Sequence, residues 1–255
     1  MIPKTIHLCW LSGDPFPASI QHCLDSWHKH LSSYEIVLWD TNRFDVNSTL
    51  WTRQAFEKRK YAFAADYIRL YALYHQGGIY LDSDVLVYKP FDDLLHLPYF
   101  IGEDYSGCFE PAIVGTEKGN PWIKEVLDYY EGRAFVKPDG SLDTKGLPLV
   151  FMETLSPGHT FRSINKLEGY QEKGCEINIF TYPFFNGRDN VGAVRYKESY
   201  CSHNYLGSWY KKEGNLKDKL KALVPHRLLN LSYQAMFNLG LKKVNPNYQI
   251  PYSDK

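Results

Sequence analysis

Two carboxylates interrupt an apolar, strand-like run in this chain, Gly77-Gly78-Ile79-Tyr80-Leu81-Asp82-Ser83-Asp84-Val85-Leu86-Val87. Ile79, Leu81, Val85 and Val87 predict a buried strand, and the glycine pair marks its start. Placing two acids beside such a strand is costly unless a cation compensates them. On an extended backbone, residues two apart point to the same side, so Asp82 and Asp84 are expected to share one divalent ion. A hard cation on carboxylates commonly also holds phosphate oxygens. The triplet alone says little, because most aspartates sit exposed in turns. Its apolar flanks make it informative, since they demand an interior sheet with a polar end.

The rest of the chain predicts what surrounds that strand. Lys4 to Trp10 reads as a strand, Ser19 to Leu31 as a helix with Ile20, Cys23, Leu24 and Trp27 at helical spacing, and Tyr34 to Trp39 as a second strand. This β-α-β start predicts an α/β fold, a mostly parallel central sheet flanked by helices. Thr52 to His75 is expected as one long helix ended by Gly77 and Gly78. Strands follow at Pro98 to Gly102 and Ala112 to Gly115, then a helix at Pro121 to Glu131, a mobile loop over 133–146, and a helix at Leu149 to Leu155.

With 255 residues, 44% of them hydrophobic, the chain can bury a full core as one large domain, or as one domain with an appendage. Lysine plus arginine and aspartate plus glutamate both number 29, so there is no broad positive field of the kind a nucleic-acid partner would need. The N-terminus lacks a signal-peptide pattern, and no apolar run reaches the ~18 residues of a spanning helix. The 5 cysteines are scattered without a Cys-X-X-Cys pair, which predicts reduced thiols in a cytoplasmic protein. Residues 216–255 intersperse Lys217, Lys219, Lys221 and Arg227 with Leu216, Leu220, Leu223, Leu228 and Leu229. That segment is expected as a basic amphipathic helical appendage, either a solvated helix face or a peripheral contact with the inner face of an anionic membrane.

Three further groups of residues carry chemistry. Asp66 and Arg69, three apart on the long helix, project from one face. They read either as an intrahelical ion pair or as an acceptor and a donor fork for sugar hydroxyl and diphosphate oxygens. Trp10, at the carboxyl end of the first strand, is either core or a platform for a base. Cys201-Ser202-His203-Asn204-Tyr205-Leu206-Gly207-Ser208-Trp209 offers His203 as a further ligand for the ion, or as a hydrogen-bonded histidine, and Ser208 as a donor to phosphate. Neither a Gly-X-X-X-X-Gly-Lys loop nor a Gly-X-Ser-X-Gly elbow is present.

Taken in order, Ile2-Pro3-Lys4-Thr5-Ile6-His7 with Trp10, Ala65-Asp66-Tyr67-Ile68-Arg69, Gly77 to Asp84, and His203 with Gly207-Ser208-Trp209 resemble the family 32 glycosyltransferases. That group has an Asp-X-Asp motif and includes yeast mannosyltransferases and bacterial capsule enzymes. The resemblance implies a GT-A fold over residues 1–215, binding a nucleotide sugar through Mn2+ or Mg2+ and transferring the sugar with retention. It implies that Asp84 ligates the metal and that Asp82 contacts metal or ribose. Asp66 and Arg69 would hold the donor sugar, Trp10 would lie near the base, and His203, Ser208 and Trp209 would close over the diphosphate. The family's Thr-Gly-Pro triplet is replaced here by Thr144-Lys145-Gly146-Leu147-Pro148, which weakens inference about the acceptor. Glu103 and Asp104, just after a strand, are the candidates to line the acceptor side. The expected donor is a UDP-hexose ahead of GDP-mannose, and the expected acceptor a saccharide, lipid-linked, in surface or capsular polysaccharide synthesis. Two other classes compete: a haloacid-dehalogenase-like phosphatase, whose Asp-X-Asp continues differently and lies near the chain start, and a non-catalytic scaffold on the same fold.

Overall fold

A computed structural model describes residues 1–104, 107–186 and 199–206. The chain opens with β1 (Thr5–Cys9), α1 (Ala18–His30) and β2 (Glu35–Trp39), and β1 pairs in parallel with β2 from Thr5↔Glu35 to Cys9↔Trp39. Then come α2 (Leu50–Glu57), α3 (Tyr61–Gln76), β3 (Gly78–Leu81), β4 (Val85–Val87), β5 (Tyr99–Glu103) and β6 (Phe109–Thr116). The described chain continues through α4 (Pro121–Asp128), α5 (Leu147–Leu155), β7 (Thr160–Ile164), β8 (Glu176–Phe180) and β9 (Cys201–His203).

Seven strands form one sheet in the order β2-β1-β3-β6-β5-β8-β7, and β4 pairs with β9 in a separate two-stranded sheet. Within the large sheet only the β3–β6 and β6–β5 pairs are antiparallel. The expected α/β architecture, mostly parallel and flanked by helices, is therefore what the chain forms. Alternation along the strands sorts side chains onto two faces. On β3, Ile79 and Leu81 join Ile6, Leu8, Trp27 and Phe100 on the side of α1, whereas Tyr80 joins Ile68, Leu73, Val114 and Trp122 on the side of α3 and α4. The sheet is thus buried on both faces, and functional side chains are confined to its ends.

Gly77 and Gly78 are required where α3 turns into β3. Gly77 has φ +68° and its N–H closes the helix on the Leu73 carbonyl at 2.9 Å. Gly78 has φ +101°, and a Cβ there would lie 2.7 Å from the Thr5 carbonyl oxygen, so only glycine lets β3 reach β1 at this point. His7 completes the junction as a core histidine. Its Nε2 bonds the Gly77 carbonyl at 2.7 Å and its Nδ1 accepts from the Trp39 indole at 3.1 Å, which defines one neutral tautomer.

Several expectations are corrected. The long helix from Thr52 to His75 is two helices, separated at Lys58-Arg59-Lys60, where Arg59 takes φ +54°. The break lets the Trp51 indole donate to the Phe63 carbonyl at 2.7 Å, a tertiary bond that helix propensity does not register. The 133–146 stretch is anchored instead of loose. Phe135 is fully buried between Trp51 and Phe63, with ring centroids at 5.1 and 5.3 Å, and Val136 bridges Leu142. Strands β7 and β8 were not anticipated, and β6 begins earlier than expected, which brings Glu110 into the sheet. Among the described residues no helix is long and apolar enough to cross a membrane. Ser208, Trp209 and the 216–255 segment lie outside the described residues.

Candidate active site

The acids of the Asp-X-Asp triplet are not on one extended strand. β3 and β4 belong to different sheets, and Asp82-Ser83-Asp84 forms the turn between them, with the Val85 N–H on the Asp82 carbonyl at 3.0 Å. The turn still brings the two carboxylates together. Pairing of β4 with β9 in the register Val85↔His203 then sets the imidazole beside them. One ligand atom each from Asp82, Asp84 and His203 lies within 4.8 Å of the others, and His203 Nε2 is 3.2 Å from Asp84 Oδ1. Two carboxylates and one imidazole at this spacing fit a divalent ion with a preference for oxygen ligands, as Mn2+ or Mg2+ has.

The charges here are tightly compensated. Burial works against an ionised Asp84, but the hydrogen bond and charge of His203 and the Leu206 N–H, 2.9 Å from Oδ2, outweigh it and hold this carboxyl below the usual range. Burial likewise disfavours a charged His203, yet Glu110 and Asp84 on its two nitrogens hold its pKa well above the ordinary histidine value. Asp82 is raised by burial, only partly offset by Arg69 and His203.

On the other side of Asp82, Arg69 is held by the protein through both terminal nitrogens. Nη1 donates to the Pro111 carbonyl at 2.5 Å, Nη2 donates to Asp82 Oδ1 at 2.9 Å and lies 3.5 Å from Asp66 Oδ1, and the guanidinium sits 4.4 Å from the Tyr80 ring centroid. Both sequence readings of Asp66 and Arg69 are thereby joined. The ion pair exists, and it also reaches Asp82. Asp66 itself is 9% exposed and, among the described residues, accepts no hydrogen bond. Burial pushes its carboxyl up to about 7 against the pull of Arg69. Such an acid has open lone pairs at the edge of a charged site, which suits it to a ligand hydroxyl.

The remaining sequence candidates have contacts of their own. Trp10 follows β1, half-buried against Phe16 with its indole donating to the Asp14 carbonyl at 2.8 Å. Glu103, at the end of β5, is buried and accepts from the Tyr182 N–H at 3.1 Å and the Ser163 hydroxyl at 3.4 Å. Asp104 accepts from the Cys108 N–H at 3.0 Å. Sequence reasoning missed Glu110 altogether, although it lies behind His203. An acid at the start of Phe109-Glu110-Pro111-Ala112-Ile113-Val114, an apolar run, is the signal that could have found it.

Residues 17–101 match a family model described as "Glycosyltransferase sugar-binding region containing DXD motif". Over that stretch the chain is similar to the glycosyltransferases that carry an Asp-X-Asp motif. Among curated proteins it is similar to "Inositol phosphoceramide mannosyltransferase 3" of Schizosaccharomyces pombe, 29% identical over 133 residues that are 49% of this chain and 36% of that one. It is similar to "Glucan organizing enzyme 1" of Cryptococcus neoformans, 50% identical over 83 residues, 29% of this chain and 23% of that one. A third similarity is to "Uncharacterized glycosyltransferase L373" of Acanthamoeba polyphaga mimivirus, 31% identical over 147 residues, 54% of this chain and 57% of that one. The chain covers about a third of the first relative's length.

Proposed function

We propose that this chain transfers a hexose from a nucleotide sugar to a hydroxyl of a saccharide or glycolipid acceptor, with the donor diphosphate seated at Asp82, Asp84 and His203. The observation that carries the reading is the convergence of those three side chains, within 4.8 Å, near the Asp66 carboxylate, which pairs with Arg69 and among the described residues accepts no hydrogen bond. These three residues would hold Mn2+ or Mg2+, which when bound supplies neutralisation of the negative charge that gathers on a leaving nucleoside diphosphate. Asp66 accepts a hydrogen bond from a hydroxyl of the donor sugar. Arg69, tied to Pro111, Asp82 and Asp66, keeps the two acids at fixed separation and so orients sugar and diphosphate relative to each other.

A UDP-hexose is the donor preferred from the sequence. The mannosyltransferase names of relatives make GDP-mannose its direct competitor, and their inositol phosphoceramide acceptor supports a lipid-borne acceptor here. Such an acceptor would give the basic 216–255 segment a membrane surface to meet. Isothermal titration with a panel of UDP- and GDP-sugars, first with Mn2+ and then with chelator, tests the proposal. Metal-dependent binding of one donor is expected, and it names the sugar. Absence of binding to every donor in the presence of metal overturns the reading.

A further inference from the structure

Behind the metal-binding corner lies a buried carboxylate, Glu110, near the start of the apolar strand β6 and 3% exposed. Its Oε1 accepts from the Ala112 N–H at 3.2 Å and faces His203 Nδ1 at 3.3 Å, and its Oε2 accepts from the Tyr205 hydroxyl. Two of its three partners therefore belong to the segment that brings His203 to the site. Burying an ionised carboxylate is costly, so a group placed this deep exerts its full field on the imidazole.

We propose that Glu110 is a positioning residue for the metal centre, holding the His203 proton on Nδ1 so that Nε2 is the ligand atom, and holding Tyr205 so that the 204–206 segment stays against Asp84. The inference rests on the metal-centre reading above. A neutral imidazole carries one N–H, and with an ion bound on the Nε2 side, next to Asp84, that proton is left to Nδ1, next to Glu110. Histidines that ligate metals commonly donate their second N–H to a carboxylate, and loss of that partner weakens the metal. His203 has the same arrangement of groups, with Nδ1 3.3 Å from Glu110 Oε1, within ion-pair reach and without a formed hydrogen bond, and Nε2 3.2 Å from Asp84 Oδ1. The second arm acts through the backbone. Tyr205 takes φ +47°, a conformation that a non-glycine residue keeps only when its surroundings hold it there. Its ring lies on His203 with centroids 4.0 Å apart, and the next N–H, of Leu206, donates to Asp84 Oδ2 at 2.9 Å. Releasing the tyrosine hydroxyl thus loosens a bond that orients a ligand carboxylate.

The test is Mn2+ titration of the full-length, donor-free protein, wild type against Glu110→Gln and Tyr205→Phe, with melting temperatures recorded alongside. Glu110→Gln keeps the side-chain volume and a bond to Tyr205 but removes the charge facing Nδ1. It is expected to weaken Mn2+ binding by about 10–100-fold, with Tyr205→Phe weakening it less. Equal Mn2+ affinity in wild type and Glu110→Gln overturns the positioning role and leaves the metal centre intact. Wild-type protein that takes up no Mn2+ overturns the metal centre itself, and this inference with it. If Glu110→Gln does not fold, ring 15N spectra of His203 in Mg2+-loaded wild type decide the matter. A proton on Nδ1 supports the proposal, and a proton on Nε2 overturns it.

Discussion

Arg69 and His203 divide the site, each placed between two carboxylates. Arg69 lies 2.9 Å from Asp82 and 3.5 Å from Asp66, and His203 lies 3.2 Å from Asp84 and 3.3 Å from Glu110. The halves look alike in charge but differ in what the cation can do. A guanidinium does not give up its proton and has no lone pair for a metal, so Arg69 neutralises its acids permanently. An imidazole can lose its proton and then ligate, so in the His203 half a divalent ion can take over the compensation. One half is scaffold, and the other is exchangeable.

The largest expected effect comes from breaking the exchangeable half. Asp84→Ala should remove Mn2+ binding and lower transfer by ~1000-fold, the scale on which loss of a direct electrostatic stabiliser is felt. Near-normal turnover of that variant would sink the metal assignment.

Next is the scaffold half. Arg69→Met leaves Asp66 and Asp82 buried without their cation and should destabilise the protein by about 3–5 kcal/mol, in denaturant melts with or without Mn2+. His203→Ala, which removes a ligand of the proposed site, should be destabilised in chelator and regain stability only at Mn2+ concentrations high enough to offset its weakened binding. Equal rescue of both variants by the metal would erase the distinction between the halves.

A smaller effect sharpens the comparison at Asp66. Its folded-state pKa of about 7 stands above the ~3.9 of an exposed aspartate, so between those values the folded chain binds more protons than the unfolded one. Stability of the chelated protein should therefore fall as pH rises from about 4 to above 7, and Asp66→Asn should flatten that decline in thermal melts. The same variant should lose about 10-fold in use of the donor sugar, the value of one hydrogen bond, while nucleotide binding is kept. Equal loss of both would assign Asp66 to scaffold alone. Outside both halves, deleting 216–255 should reduce binding to anionic vesicles by about 1 kcal/mol per basic residue in contact. Unchanged vesicle binding would remove the membrane idea.

The two halves also differ in how far they could be read without coordinates. Asp66 and Arg69 are three apart on a helix, and Asp82 comes directly after the strand that the glycine pair introduces. Such relations are set by backbone periodicity over a few residues, and the sequence by itself determined them along with the β-α-β start and the sandwiched sheet. It also determined that the glycine pair ends α3, whereas the φ values of both glycines and the close approach of Gly78 to β1 came from the structure. Local spacing misjudged the triplet as an extended strand, because whether a strand continues or changes sheets depends on its distant partners. Lys58-Arg59-Lys60, all fair helix formers, concealed the α2–α3 break for the same reason. Only the tertiary structure decided that β4 pairs with β9, that His203 thereby reaches Asp84, and that Glu110 on β6 backs the imidazole. Strand order and register are chosen by burial across the whole chain, and no window of the sequence contains both members of those pairs.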